Sequence, residues 1–241
     1  MQLYIVRHAD PDYEIDGLTE VGKIEAELLG KRLSALPLTK LYTSPLGRAM
    51  ATAKPTEDAL GMTAEVVDLM REFSWETIDL PYEKGAIAWD LLPSYLKDIP
   101  ELYSPTEWRS VPPLAQSKIP EAYDMVAAEL DRIIAAHGYE REGRVYKVTR
   151  SSHDIVVIFC HYGVSGVLIS HLVGCSPYSI WQNAVLLPSS VTILATEERE
   201  EGIASLRMQA MGDTSHIYAA GREPSFSARF CECFTDDTRH H

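Results

Sequence analysis

The chain lacks any apolar run approaching the ~20 residues that a membrane span requires. It is also short of positive charge: Lys+Arg number 22 against 35 Asp+Glu, a net charge of -13. So acidic a balance argues against a nucleic-acid binder or an anionic-membrane binder, since both depend on a basic patch. It leaves room for a small phosphorylated substrate, which needs only a local positive pocket. Cysteine is scarce too. Cys160, Cys175, Cys231 and Cys233 are too few for a disulfide scaffold in 241 residues. Their one Cys-x-Cys has no second pair, a poor zinc signature. They read as reduced thiols. The apolar stretch near the N-terminus is short and broken by Arg7 and His8, so it is no signal peptide. A cytoplasmic protein with neither nucleic-acid nor membrane partners is expected.

What is present is alternation. LYIV (3–6) reads as a short strand, and LTEVGKIEAELLGKRLSAL (18–36) sets Val21, Ile24, Leu28, Leu29 and Leu33 at three- and four-residue steps, an amphipathic helix capped by Thr19. KLYTS (40–44) is a second strand. PLGRAMATAKPTEDALG (45–61) is a second helix, with Pro45 at its first position, Pro55 kinking or interrupting it and Gly61 closing it. AEVVDLM (64–70) is a third strand. The pattern returns with the strand DIVVIFC (154–160), a helix through GVLISHLVG (166–174), and two β-branched runs, SVTILAT (190–196) and IASLRMQAM (203–211).

This order predicts an α/β fold, a three-layer α/β/α sandwich with a mostly parallel central sheet. One domain spanning 1–241 is expected, with an insertion at about 74–150. That insertion is rich in Trp, Tyr and Pro and holds one clear helix, PEAYDMVAAELDRIIAAHG (120–138). It reads equally as a cap over a site or as an ordinary surface excursion. The tail from about 221 is polar and ends in His240-His241.

Three strand ends carry comparable polar groups: Arg7-His8, then Thr43-Ser44 leading to Arg48, then His161-Tyr162-Gly163. Parallel strands present their ends along one edge, so these residues can converge. Two arginines and two histidines in one crevice suit a tetrahedral dianion, because the guanidinium fork meets phosphate oxygens two at a time and stays charged. Taken singly, either arginine is equally a surface ion-pair partner. His153 and His171 read as structural, and Ser44 as a helix cap.

YIVRHA, LTEVGKIEAELLGKRL, LYTSPLGRAMATA, REF and VIFCHYG, in this order, resemble the histidine phosphatase superfamily, which includes the cofactor-dependent phosphoglycerate mutases. The resemblance implies a phosphohistidine enzyme. His8 would be the nucleophile, His161 the second histidine stabilising the transition state, and Glu72 the acid that protonates the departing alcohol. Arg7, Arg48 and Tyr162 would bind the phosphate. No cofactor and no metal is implied, the two arginines supplying the positive charge. Glu72 adjoins Arg71 and is also readable as half of a solvated ion pair, with Asp10 and Asp12 as competing acids.

The chain departs from the mutase pattern in two places. The asparagine that mutases carry a few positions after the Arg-His-Ala triplet is missing, and Glu72 is followed by FSWE where mutases carry a different stretch. Hydrolysis of a small phosphorylated metabolite is therefore the expected function, with phosphoglycerate mutase as the alternative. Lys84, Arg109 and Lys118 are candidates for the carboxylate grip a mutase needs. A metal-dependent hydrolase using His8, Asp10, Asp12 and His161, and a non-catalytic phosphate-binding module, are lesser alternatives.

Overall fold

The computed structural model describes residues 1–227, 229 and 232–236. Cys231 and the His240-His241 pair lie outside the described residues. The first strand, Gln2–Arg7, is buried along nearly its whole length because both faces are covered. Tyr4 and Val6 pack with Leu29, Leu33 and Ala53 of the two N-terminal helices. Leu3 and Ile5 face the opposite layer, with Val126 and Leu130 of the Ile119–Ala136 helix and Val167 of the Tyr162–Val173 helix. The period-two alternation of a strand thus separates two helical layers around one sheet.

The sheet has eight strands, ordered Glu65–Val66, Lys40–Thr43, Ile155–Cys160, Gln2–Arg7, Val191–Glu200, Ile203–Asp213, Val145–Val148, Tyr139–Glu142. The first four run parallel, and the remainder are added antiparallel. The expected α/β sandwich is therefore the fold, as a mixed sheet whose parallel half bears the paired strand ends. Among the described residues no helix is long and apolar enough to cross a membrane.

Several local expectations change. The first helix is Glu20–Ser34, and Thr19 Oγ1 accepts from the Gly22 N–H as expected. Its buried face, however, carries Gly22, Glu25, Ala26, Leu29, Gly30 and Leu33, while Val21 and Ile24 are exposed. Close helix packing explains this: a Cβ on Gly30 would lie 2.8 Å from Pro55 Cβ. Pro55 accordingly does not interrupt the second helix, which runs Gly47–Leu60 and ends on the left-handed Gly61. Pro45 precedes that helix rather than starting it, because Ser44 Oγ accepts from Leu46 N in a turn before the helix begins. The third strand shrinks to Glu65–Val66, followed by a 3₁₀ turn at Asp68–Met70.

The insertion also divides. The Ile119–Ala136 helix packs on the sheet, and residues 139–148 form two of its strands, so the excursion proper ends near 118. Before that point the chain runs through short 3₁₀ turns and a two-strand ribbon, with Trp108, Leu102 and Leu114 buried in the main core.

Candidate active site

Register brings the two histidines together. Arg7 is paired with Cys160 across parallel strands, and the His8 N–H continues the ladder to the Cys160 carbonyl at 2.9 Å. The next residues, His8 and His161, therefore leave the sheet side by side, with ring centroids 5.0 Å apart. The neighbouring strand ends in step, since Ser44 N donates to the Phe159 carbonyl at 2.9 Å. Ser44 Oγ then lies 2.7 Å from His161 Nε2.

His8 Nδ1 is 2.8 Å from the Ala9 carbonyl. A carbonyl only accepts, so this nitrogen carries the proton and Nε2 holds the lone pair. Burial, then the Arg7 guanidinium, holds the His8 imidazole well below its ordinary range, the Ala9 bond pulling the other way. His161 is likewise lowered, by burial first and then by His8 and the two arginines. Both rings are neutral near pH 7.

The arginines are fixed at one end. Arg7 donates through one terminal nitrogen to the Leu186 carbonyl at 2.6 Å, and its guanidinium sits 5.7 Å from the Tyr162 ring centre. Arg48 opens the second helix and donates to Asp16 Oδ1 at 2.6 Å, while Asp16 Oδ2 accepts the Gly47 N–H at 2.6 Å. Three buried nitrogens of this cluster, Arg7 Nε, Arg48 Nε and His161 Nδ1, have no partner among the described residues. Buried donors are nearly always satisfied, and three left over beside a neutral imidazole fit an oxyanion.

Glu72 follows the 3₁₀ turn and reaches the same place. Its Oε1 accepts from Phe73 N at 2.8 Å and from Val164 N, in the first turn of the Tyr162–Val173 helix, at 3.2 Å. Burial raises its pKa, and these two N–H groups and the arginines oppose the shift. The Arg71 side of the alternative is not what holds it. Gly163 is required here by close approach, since a Cβ would lie 2.2 Å from Trp89 Nε1 and 2.6 Å from Glu72 Oε1.

Tyr162 is differently employed from the expectation. Its hydroxyl donates toward the Trp181 and Ala184 carbonyls, so the ring rather than the hydroxyl borders the site. Asp10 is turned away: its oxygens accept from the Thr19 and Ser225 hydroxyls at 2.6 and 2.8 Å. Among the described residues no three potential ligands are grouped to hold a metal. Asp12 Oδ1 caps the Glu14 N–H.

A cavity of about 510 Å³ opens beside these groups, walled by Arg7, Glu72, Trp89, Tyr162, Trp181 and Arg229. Trp89 is held in place by its Nε1 donating to the Phe73 carbonyl at 2.9 Å. Lys84, Arg109 and Lys118 do not line it; Lys84 pairs with Asp79 and Arg109 with Asp124. Sequence reasoning misses Arg229, Trp181 and Asp16. No local signal marks the first two, and Asp16 carries only the signal of a turn.

An α/β sandwich whose parallel strand ends gather Arg7, His8 and His161, with Arg48 in the first turn of the helix after the neighbouring strand, defines an enzyme of the phosphatase and mutase type. The chain belongs to the histidine phosphatase superfamily (branch 1), whose family model matches residues 3–209. It is 26% identical over 227 residues to "Probable phosphoglycerate mutase GpmB" of Yersinia enterocolitica, covering 90% of this chain and 95% of that one. A shorter match, 33% identical over 107 residues, covers 41% of this chain and 50% of a Hydrogenobacter thermophilus protein that carries a provisional phosphoserine phosphatase name. Among solved structures, a phosphoserine phosphatase of Entamoeba histolytica in complex with phosphoserine has a similar fold, with TM-score 0.56 and 14% identity over 90% of this chain and 98% of that chain.

Proposed function

We propose that the chain hydrolyses phosphomonoesters of small metabolites through a phosphohistidine on His8, with no metal or cofactor. In this reading the phosphate is clamped by Arg7 and Arg48. His8 Nε2 attacks phosphorus as the ester P–O bond breaks, and Glu72 gives its proton to the departing alkoxide. A water then attacks phosphorus with Glu72 as base, the P–N bond breaks, and inorganic phosphate leaves with His8 neutral again. Because the Leu46 N–H already donates to Ser44 Oγ, the Ser44 hydroxyl proton is free to donate to His161 Nε2. That tautomer leaves His161 with Nδ1–H for a non-bridging oxygen.

The observation that carries the reading is the cluster of unpartnered buried nitrogens around two neutral imidazoles. A nucleophile is of no use to a module that only binds phosphate, and the raised pKa of Glu72 suits a proton donor. The mutase reading is supported by the Yersinia relative along most of the chain. Lys84 and Arg109, held in ion pairs outside the cavity, lend it no support. A cytoplasmic setting belongs to the same proposal, supported by free thiols at Cys160, Cys175 and Cys233.

The test is a screen of sugar, nucleotide, amino-acid and aryl phosphates with His8→Ala as blank, combined with acid-quench mass spectrometry for a phosphorylated histidine. Phosphate release that depends on His8 is expected. Isomerisation of 3-phosphoglycerate without phosphate release would favour the mutase, and full activity in His8→Ala would end both.

A further inference from the structure

Two buried acids have no part in that chemistry. Asp10 and Glu25 lie just behind His8, 8% and 3% exposed. Glu25 Oε2 accepts from Asp10 N at 2.9 Å, and its pKa is raised chiefly by burial. Their remaining oxygens converge on one residue of the C-terminal segment. Glu25 Oε1 accepts from the Ser225 N–H at 3.0 Å, and Asp10 Oδ1 from the Ser225 hydroxyl at 2.8 Å. Main chain and side chain of one serine are thus clasped by two carboxyl groups about 200 residues earlier in the chain.

The clasp holds the chain at Ser225, one residue before Phe226. Four residues on from Ser225, Arg229 stacks its guanidinium 4.6 Å from the Phe226 ring centre and lines the cavity that Arg7 and Glu72 also wall. Its Nε is buried without a partner among the described residues, and its contact to Glu232 is a long 3.4 Å. Arg7 and Arg229 are the cations among the lining residues, and Arg7 is already committed to the phosphate site. Trp89, Tyr162 and Trp181, also on the wall, offer apolar surface and no charge. Asp90 lines the cavity too, its pKa raised by burial and by Glu83. A volume of about 510 Å³ exceeds what a phosphate needs and falls in the range of small-molecule sites.

Building on the phosphomonoesterase reading, we propose that Arg229 is a specificity-determining residue: it binds a second oxyanion, carried on the leaving group of the substrate. A guanidinium fork meets a carboxylate or a second phosphate with two parallel hydrogen bonds. The tail thereby supplies the leaving-group contact, and the Asp10–Glu25 clasp on Ser225 is its anchor.

Steady-state kinetics on matched pairs tests this in the full-length protein. Phosphoserine against phosphoethanolamine isolates a carboxylate; fructose 1,6-bisphosphate against fructose 6-phosphate isolates a second phosphate. The wild type is expected to prefer the member with the extra anion in one of the two pairs. Arg229→Gln should raise KM for that member at least tenfold relative to its partner, with kcat for both changed much less. Arg229→Lys should recover part of the loss, and Ser225→Ala should shift KM in the same direction with the thermal midpoint little altered. No preference in the wild type, or equal KM shifts within both pairs, overturns the proposal. His8→Ala separates the two levels: if that variant is inactive while Arg229→Gln changes nothing selectively, the specificity role alone is lost.

Discussion

Ser44 Oγ sits 2.7 Å from His161 Nε2 while accepting the Leu46 N–H at 3.1 Å, so one hydroxyl joins the turn before a helix to the second imidazole of the candidate site. Removing it frees the ring to rotate or change tautomer. Ser44→Ala should lower kcat about tenfold, equivalent to ~1.4 kcal/mol of transition-state stabilisation. KM should change little. A kcat unchanged within twofold would show that the hydroxyl serves the turn only.

Glu72→Gln keeps an oxygen for the Phe73 and Val164 N–H groups but removes the proton. Loss of one general acid–base step costs ~10²–10⁴ in rate. The loss should be smallest for p-nitrophenyl phosphate, whose leaving group needs little protonation, and the phosphorylated His8 should accumulate. Competitive inhibition by inorganic phosphate should persist, since both arginines remain. Equal losses on alkyl and aryl esters would place Glu72 outside the leaving-group step.

Stability should fall on the acid side. His8 and His161 are held well below the ordinary histidine value, and His216 is lowered to about 4 by burial and Arg32. The unfolded chain takes up protons on these rings near pH ~6.5, whereas the folded chain does so only much lower. Their contribution is therefore complete above pH ~6.5 and is lost as the pH drops toward the folded values, by up to ~1.4 kcal/mol per pH unit for each ring. Glu25 and Glu72, raised by burial, act in the opposite sense. Urea midpoints measured from pH 7 to 4.5 should decline, and His216→Gln should flatten the slope by one proton. A flat profile between pH 6.5 and 5 would contradict neutral buried imidazoles.

The tryptophans of the insertion should separate by role. Trp89 walls the cavity, whereas Trp75 packs edge-on against Phe73 at 5.1 Å between ring centres. Trp89→Ala should raise KM several-fold more for aryl than for small alkyl phosphates. Trp75→Ala should mainly lower the thermal midpoint. Identical kinetic effects of both would remove the cavity-wall role of Trp89.

Strand ends are the readable part of the site. Arg7, His8 and His161 each stand directly after an apolar run, and parallel register converts that shared position into the 5.0 Å ring separation. Glu72 is reachable only through the family resemblance, because the turn that delivers it follows a strand of just two residues. Periodicity misjudges the first helix, since it ranks Val21 and Ile24 as core. Glycine-to-backbone contact instead buries Gly22 and Gly30, and a polar clasp buries Glu25. Arg229 is invisible for a simpler reason: its place depends on a contact between Ser225 and residues near the other end of the chain, which no local pattern encodes.

The main chain of His8 is gripped from both sides, its N–H by the Cys160 carbonyl and its carbonyl by the Ser189 N–H at 3.0 Å. On the phosphohistidine route proposed above, such a residue would have no room to retreat as its ring became a phosphoramidate. The Michaelis complex and the covalent intermediate would then share one backbone geometry, and the movement demanded by turnover would fall on the phosphorus and its departing alcohol.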